Sequence, residues 1–142
     1  MKGFTIIELI IVVSLVGIVT GVATPFLSAF ILRDNWHVAT DRVVSEMRKA
    51  QAYAMDGKTV NGNNLWGVCV IGNVFRLFNG TCNSPNQNED YSVPNGVALT
   101  GLTSITFGNL RGEPSVAGSI NISTNLGTST ITLNAAGMIQ SN

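Results

Sequence analysis

From Leu9 to Ala23 the chain reads L-I-I-V-V-S-L-V-G-I-V-T-G-V-A, with Phe4 to Ile7 ahead of it and Pro25 to Leu32 behind it. Glu8 is the one ionisable side chain in the whole stretch. About 20 apolar residues cross a bilayer core of ~30 Å, so residues 4–32 reach transmembrane length. Lys2 is the only side-chain cation on the short flank, which orients that end toward the cytoplasm and puts everything after Arg33 outside the membrane. Three plainer explanations compete. A secretory signal peptide fits Gly21-Val22-Ala23, a small-x-small cleavage pattern, but its apolar region normally runs for ~7 to 15 residues. A simple single-pass anchor explains the length and leaves Glu8 unexplained, because an acid deep in a membrane costs roughly 2 to 4 kcal/mol. A buried helix of a soluble protein needs more chain to cover it than 142 residues provide.

Beyond Arg33 the helical pattern continues but becomes one-sided. Trp36, Ala39, Val43, Met47, Ala50 and Tyr53 recur at steps of three and four, a core-facing stripe. Arg33, Asp34, Asp41, Arg42, Glu46, Arg48 and Lys49 fill most of the other positions, and Gly57 is a natural stop. One helix from Thr5 to Asp56 would measure roughly 75 to 80 Å at 1.5 Å per residue. From Lys58 the texture changes to Asn, Gly, Ser and Thr between short β-prone runs: 65–71, 74–78, 97–100, 104–107, 119–123, 129–133 and 138–139. Gly72-Asn73 predicts a two-residue hairpin turn, Asn125-Leu126-Gly127 predicts a second, and Thr81 to Pro94 reads as an irregular loop. One helix succeeded by a run of strands predicts an α+β fold: a long N-terminal helix packed against an antiparallel β head.

Apolar residues make up 45% of the chain and charged residues 11%, and the apolar excess sits at the start, so the remainder is a polar domain. The formal net charge is zero, which removes any long-range attraction to nucleic acid or anionic membrane. Past Gly57 the cations are Lys58, Arg76 and Arg111, too sparse for a phosphate-binding stripe, so no direct nucleic-acid partner is expected. His37 is the single histidine and no nucleophile motif accompanies it. No Gly-rich phosphate loop or metal-ligand cluster appears either, so neither catalysis nor a cofactor or metal is expected. Cys69 and Cys82 fit no zinc spacing. If the domain is exported they sit where disulfides persist, so a Cys69–Cys82 bridge is expected; the alternative is a pair of small buried hydrophobes. A tight turn at Gly72-Asn73 places Cys69 opposite Arg76, so Cys82 reaches it only if the chain bends back after Phe78.

The residues Lys2-Gly3-Phe4-Thr5-Ile6-Ile7-Glu8-Leu9 resemble the processing site of type IV prepilins and type II secretion pseudopilins. In that family a basic leader ends in Gly, followed by Phe, an apolar stretch and a Glu four residues after the Phe. The resemblance implies a leader of residues 1–3 and cleavage between Gly3 and Phe4 by a prepilin peptidase, with methylation of the new Phe4 amine. It implies a transmembrane and assembly helix over 4–32, an amphipathic continuation over 33–57 and a β-rich head over 58–142. It also gives Glu8 a purpose, as the partner of that amine on a neighbouring subunit. The pair need not add stability, but a misregistered subunit would bury one charge alone at a cost of several kcal/mol.

Gly17 and Pro25 agree with the resemblance. They bracket Ile18 to Thr24, where Pro25 removes a helical hydrogen bond at a penalty of ~3 kcal/mol. Filaments of this family often extend there, and the alternative is a simple kink. Gly17 and Gly21 form a G-x-x-x-G spacing suited to close helix packing.

More loosely, Val44 to Met55, the hairpin Trp66 to Phe78 and the ending Ser129 to Ile139 resemble the GspH/FimT-like minor pilins and pseudopilins. The expected role is a structural and assembly subunit of a type IV pilus or type II secretion filament. Its expected partners are other pilin subunits, the prepilin peptidase and an inner-membrane assembly platform. The expected location is the inner membrane, single pass with the head periplasmic or extracellular, and then the filament. A major pilin, a tip subunit for adhesion or DNA uptake, and an unrelated single-pass surface protein are the alternatives.

Overall fold

The computed structural model describes residues 5–108 and 111–142, and of residues 22–26 only the backbone. The first element, α1, spans Ile6–Met55, and the chain divides into two compact units, Met1–Asp34 and Asn35–Asn142.

In the first unit α1 carries apolar side chains on every side. Ile6, Leu9, Ile10, Val13, Leu15 and Ile18 are all more than half exposed. A helix that is apolar all round needs cover from outside itself. Among the described residues no helix is long and apolar enough to cross a membrane.

The second unit contains the rest of α1 and eight strands: β1 (Trp66–Ile71), β2 (Val74–Gly80), β3 (Pro85–Ser92), β4 (Ala98–Gly101), β5 (Ser104–Phe107), β6 (Gly118–Thr124), β7 (Gly127–Leu133) and β8 (Ile139–Ser141). They form two antiparallel sheets in the orders β3-β2-β1-β5 and β4-β6-β7-β8. The architecture is α+β. Ala39, Val43, Met47, Ala50 and Ala54 form a stripe on α1 with no exposure. Together with Trp66, Phe75 and Phe107 from the first sheet and Ile120, Ile122 and Ile131 from the second they make one continuous core. Trp36 and Tyr53 flank this stripe, half-buried, instead of lying within it.

The helix stops where Gly57 predicts. Gly57 has φ +62, its amide bonds to the Ala54 carbonyl and the Lys58 amide reaches back to the Tyr53 carbonyl. That pair of bonds is a Schellman cap, and its left-handed residue favours glycine. The Gly72-Asn73 turn also forms as expected, with Ile71 opposite Val74 and Cys69 opposite Arg76. The second hairpin turns on Asn125-Leu126, since Thr124 pairs with Gly127.

Two expectations fail. The segment from Thr81 to Pro94 is not an irregular loop but holds β3, paired with β2 along its length. Its residues, Pro85 to Ser92, have poor strand propensity, and the ladder to β2 overrides it. As an edge strand it tolerates Pro85 and keeps its polar side chains in water. Glu46, placed by the pattern on the solvent face, is only 3% exposed. The Arg42 guanidinium one turn earlier meets its Oε1 at 2.8 Å, which offsets part of the cost of burying the side chain.

The end of the helix is clamped to the last hairpin by one amide. Gln51 Nε2 donates to the carbonyls of Gly112 (2.9 Å) and Gly137 (2.8 Å). Gly137 has φ +83, and a Cβ there would lie 2.5 Å from the Gly112 oxygen and 2.6 Å from Gln51 Nε2. Gly72 has φ +58 but faces open space. Gly137→Ala should therefore lower stability by roughly 2 to 4 kcal/mol, backbone strain plus displacement of the clamp, against about 1 kcal/mol for Gly72→Ala. Urea unfolding midpoints of the two variants compare them directly. Equal losses would mean that the clamp contributes nothing.

Candidate functional site

The start of α1 is the first place where chemistry gathers. Thr5 precedes the helix, and its hydroxyl oxygen accepts the Glu8 amide at 3.4 Å while its carbonyl accepts the Leu9 amide at 3.3 Å. Thr-x-x-Glu ahead of an apolar run is a capping-box pattern. Glu8, exposed in the first turn, also meets the positive end of the helix dipole. Reasoning from the charge alone misses this local role, although the three-residue spacing from Thr5 to Glu8 signals it. Gly3 and Phe4 lie outside the described residues.

Further along the same unit, polar groups are turned inward on the helix itself. Ser14 Oγ donates to the Ile10 carbonyl at 2.7 Å and Thr20 Oγ1 to the Val16 carbonyl at 2.5 Å. Hydroxyls satisfied in this way can enter an apolar environment without leaving a bare donor. Gly17 and Gly21 have nothing within 4 Å of where a Cβ would stand, so no contact within the chain requires a glycine at either position. Pro25 falls within α1, which runs through it as one element, and its side chain lies outside the description.

In the head, Cys69 and Cys82 are joined, with Cα atoms 6.2 Å apart. The bend this needs comes from a bulge at Asn79 and Gly80, where the β2–β3 register shifts and Gly80 takes φ +95. Asn79 is fully buried at the bulge. Its Nδ2 donates to the carbonyls of Asn63 (3.0 Å) and Leu65 (3.1 Å), and its Oδ1 accepts from Asn86 at 3.3 Å. Closing a loop of 13 residues' separation adds roughly 3 kcal/mol in the chain-entropy model.

Charges concentrate where α1 faces β3. Arg42 pairs with Glu46 and lies 5.9 Å over the Tyr91 ring, and Lys49 pairs with Glu89. Burial pushes the Tyr91 hydroxyl pKa up, and the nearby Arg42 charge offsets part of that rise. Arg76 holds Asp90 in a fork of 2.6 and 2.7 Å bonds and also donates to the Cys82 carbonyl at 3.2 Å. That fork, with a further bond from Asn88, draws the Asp90 carboxyl down to about 2. None of these groups is arranged as a nucleophile with a base, and His37 stacks on Trp36 at 5.5 Å. Among the described residues no three metal-binding side chains converge.

The Asp90 shift has a pH signature. Because the folded pKa is depressed, its contribution is complete above the ordinary carboxyl value near 3.8 and is lost as pH falls toward 2. Asp90 is 38% exposed, so solvent screening limits the loss to about 1 kcal/mol or less. Thermal midpoints of the native chain and Asp90→Asn should converge between pH 4 and pH 2. A gap that stays constant through this window would rule the pairing out as a source of acid sensitivity.

No family model matches the chain, and no solved structure matches it. Over 93 residues it is 36% identical to the type IV major fimbrial protein FimA of Dichelobacter nodosus, an alignment covering 63% of this chain and 52% of that protein. The chain thus spans about half the length of the curated relative it matches. Over the matched residues the chain is similar to a type IV pilin, and its fold is the long N-terminal helix and antiparallel β head given above.

Proposed function

We propose that this protein is a structural subunit of a type IV pilus or type II secretion filament, a minor pilin or pseudopilin and not an enzyme. The observation that carries the reading is Glu8, a lone acid in the first turn of a helix whose apolar side chains are uncovered on all sides. Prepilin peptidase cuts the precursor between Gly3 and Phe4 and methylates the Phe4 amine. Residues 4–32 hold the precursor in the inner membrane as a single pass, with the head on the far side. An assembly platform then moves the helix from lipid into a bundle of other subunits. There the Phe4 amine of one subunit finds Glu8 of the next, and the bare surfaces of Gly17 and Gly21 let neighbouring helices approach closely. The backbone around Pro25, which lacks an amide hydrogen, yields first when the bundle is stretched.

A second reading, the major subunit of a pilus, is favoured by the match to a protein named as a major fimbrial subunit. Abundance separates the two. A major pilin dominates sheared filaments by mass, and a minor one is a trace component.

Two measurements test the reading. Mass spectrometry of the mature protein should find Phe4 at the N-terminus carrying one methyl group, and an intact Met1 or a terminus at Thr24 would refute processing at Gly3. Glu8→Gln keeps a capping-box residue and removes only the charge. Cutting and insertion should persist while filament incorporation falls by about tenfold or more, with the subunit accumulating in the membrane fraction, head folded. Normal filament content for Glu8→Gln would leave capping as the whole role of Glu8.

A further inference from the structure

A groove of about 360 Å³ opens on the head between the helix and the ends of β7 and β8, within the ordinary size range of small-ligand sites. One wall is aromatic: the rings of Trp36 and His37 lie stacked, 22° from parallel. The other walls are formed by the polar residues Thr40, Asp41, Thr128, Ser129, Ser141 and Asn142. The Ser129 hydroxyl is committed to the Asn142 carbonyl at 3.1 Å. The Trp36 indole N–H is shielded from solvent and meets no acceptor.

The ring wall is held in place from behind. A Cβ at residue 127 would stand 3.2 Å from Trp36 Cη2, so Gly127 lets the indole rest against the start of β7. A fixed aromatic plate beside groups free to hydrogen bond is a preorganised surface.

Its chemistry narrows the ligand. No Lys or Arg lines the groove, so an anion would face Asp41 without compensation. A purely apolar ligand would strip water from a carboxylate and hydroxyls and return no hydrogen bond. The sheet that forms the far wall contains no ionisable side chain in β4, β6, β7 or β8; a compact cation would pair with Asp41 but leave the rest of the polar rim to water. A ligand that presents a C–H face to the rings and several hydroxyls to the rim satisfies every wall. We infer that this groove binds an uncharged saccharide, with the stacked Trp36–His37 pair as its aromatic wall and Asp41 as the acceptor for its hydroxyls.

The inference goes beyond the assembly role and stands or falls separately from it. The full chain, kept in a zwitterionic detergent without sugar headgroups, is titrated with maltotriose, cellotriose and tri-N-acetylchitotriose while tryptophan emission is followed. Trp66, fully buried, serves as the constant background to Trp36. At least one of these should saturate the signal below about 10 mM, with trigalacturonate, the anionic control, inert. Asp41→Asn and Thr128→Val should each weaken binding by about tenfold while circular dichroism stays native, and Gly127→Ala should do so by displacing the plate. Silence from all three neutral sugars, equal binding of trigalacturonate, or affinity unchanged in both Asp41→Asn and Thr128→Val would each overturn the assignment. So would a Trp36 signal that tracks protein concentration instead of sugar, since the groove would then be a contact between copies.

Discussion

Ala39, Val43, Met47, Ala50 and Ala54 lie on one side of α1 with no exposure, and strands of both sheets contribute to the core that covers them. Three of the five are alanine, so the β layer can approach the helix backbone closely, and the bulk needed to fill the interior comes from Trp66, Phe75, Leu77 and Phe107 on the first sheet. Small residues on one element opposite large ones on the other allow dense packing without strained rotamers. The Gln51 clamp and the Schellman cap at Gly57 lie at the C-terminal end of this stripe. They fix where the helix stops, and hence where β1 can begin.

The same helix presents two different surfaces along its length. Over the head it is amphipathic, and its buried side is satisfied by its own chain. Over residues 6–21 the apolar side chains point all round, and hydroxyls there bond back to the helix instead of to water. Stability of the head and demand for external cover are therefore set by different stretches of one continuous element. A substitution in one stretch should be felt little in the other.

Features that rest on short-range rules are legible in the sequence. The apolar run, the Gly57 stop, the Gly72-Asn73 turn and the α+β class each arise from spacing or from a residue with one dominant backbone habit. What the sequence hides depends on tertiary context. Pro85 to Ser92 carries no strand signal, and it becomes β3 because β2 offers it a ladder and because Arg76 and Lys49 offer partners to Asp90 and Glu89. Glu46 looks like a solvent residue until Arg42 folds over it. Gln51 reads as one more polar helical residue, since its two carbonyl partners lie 61 and 86 positions away. At the candidate site, Glu8 stands out as a charge, whereas its capping partner Thr5 is an ordinary residue that acquires meaning only from its distance to Glu8.

The sheets end in four edge strands, and each is guarded. β3 is long but charged and bulged, β4 and β5 have four residues each, and β8 has three. Long, flat, apolar edges pair with one another through their backbones, and crowding favours such pairing. A head of this kind can be held beside many copies of itself without its sheets zipping together. If the chain assembles as proposed, contacts between its heads are left to side chains, which can part as readily as they meet.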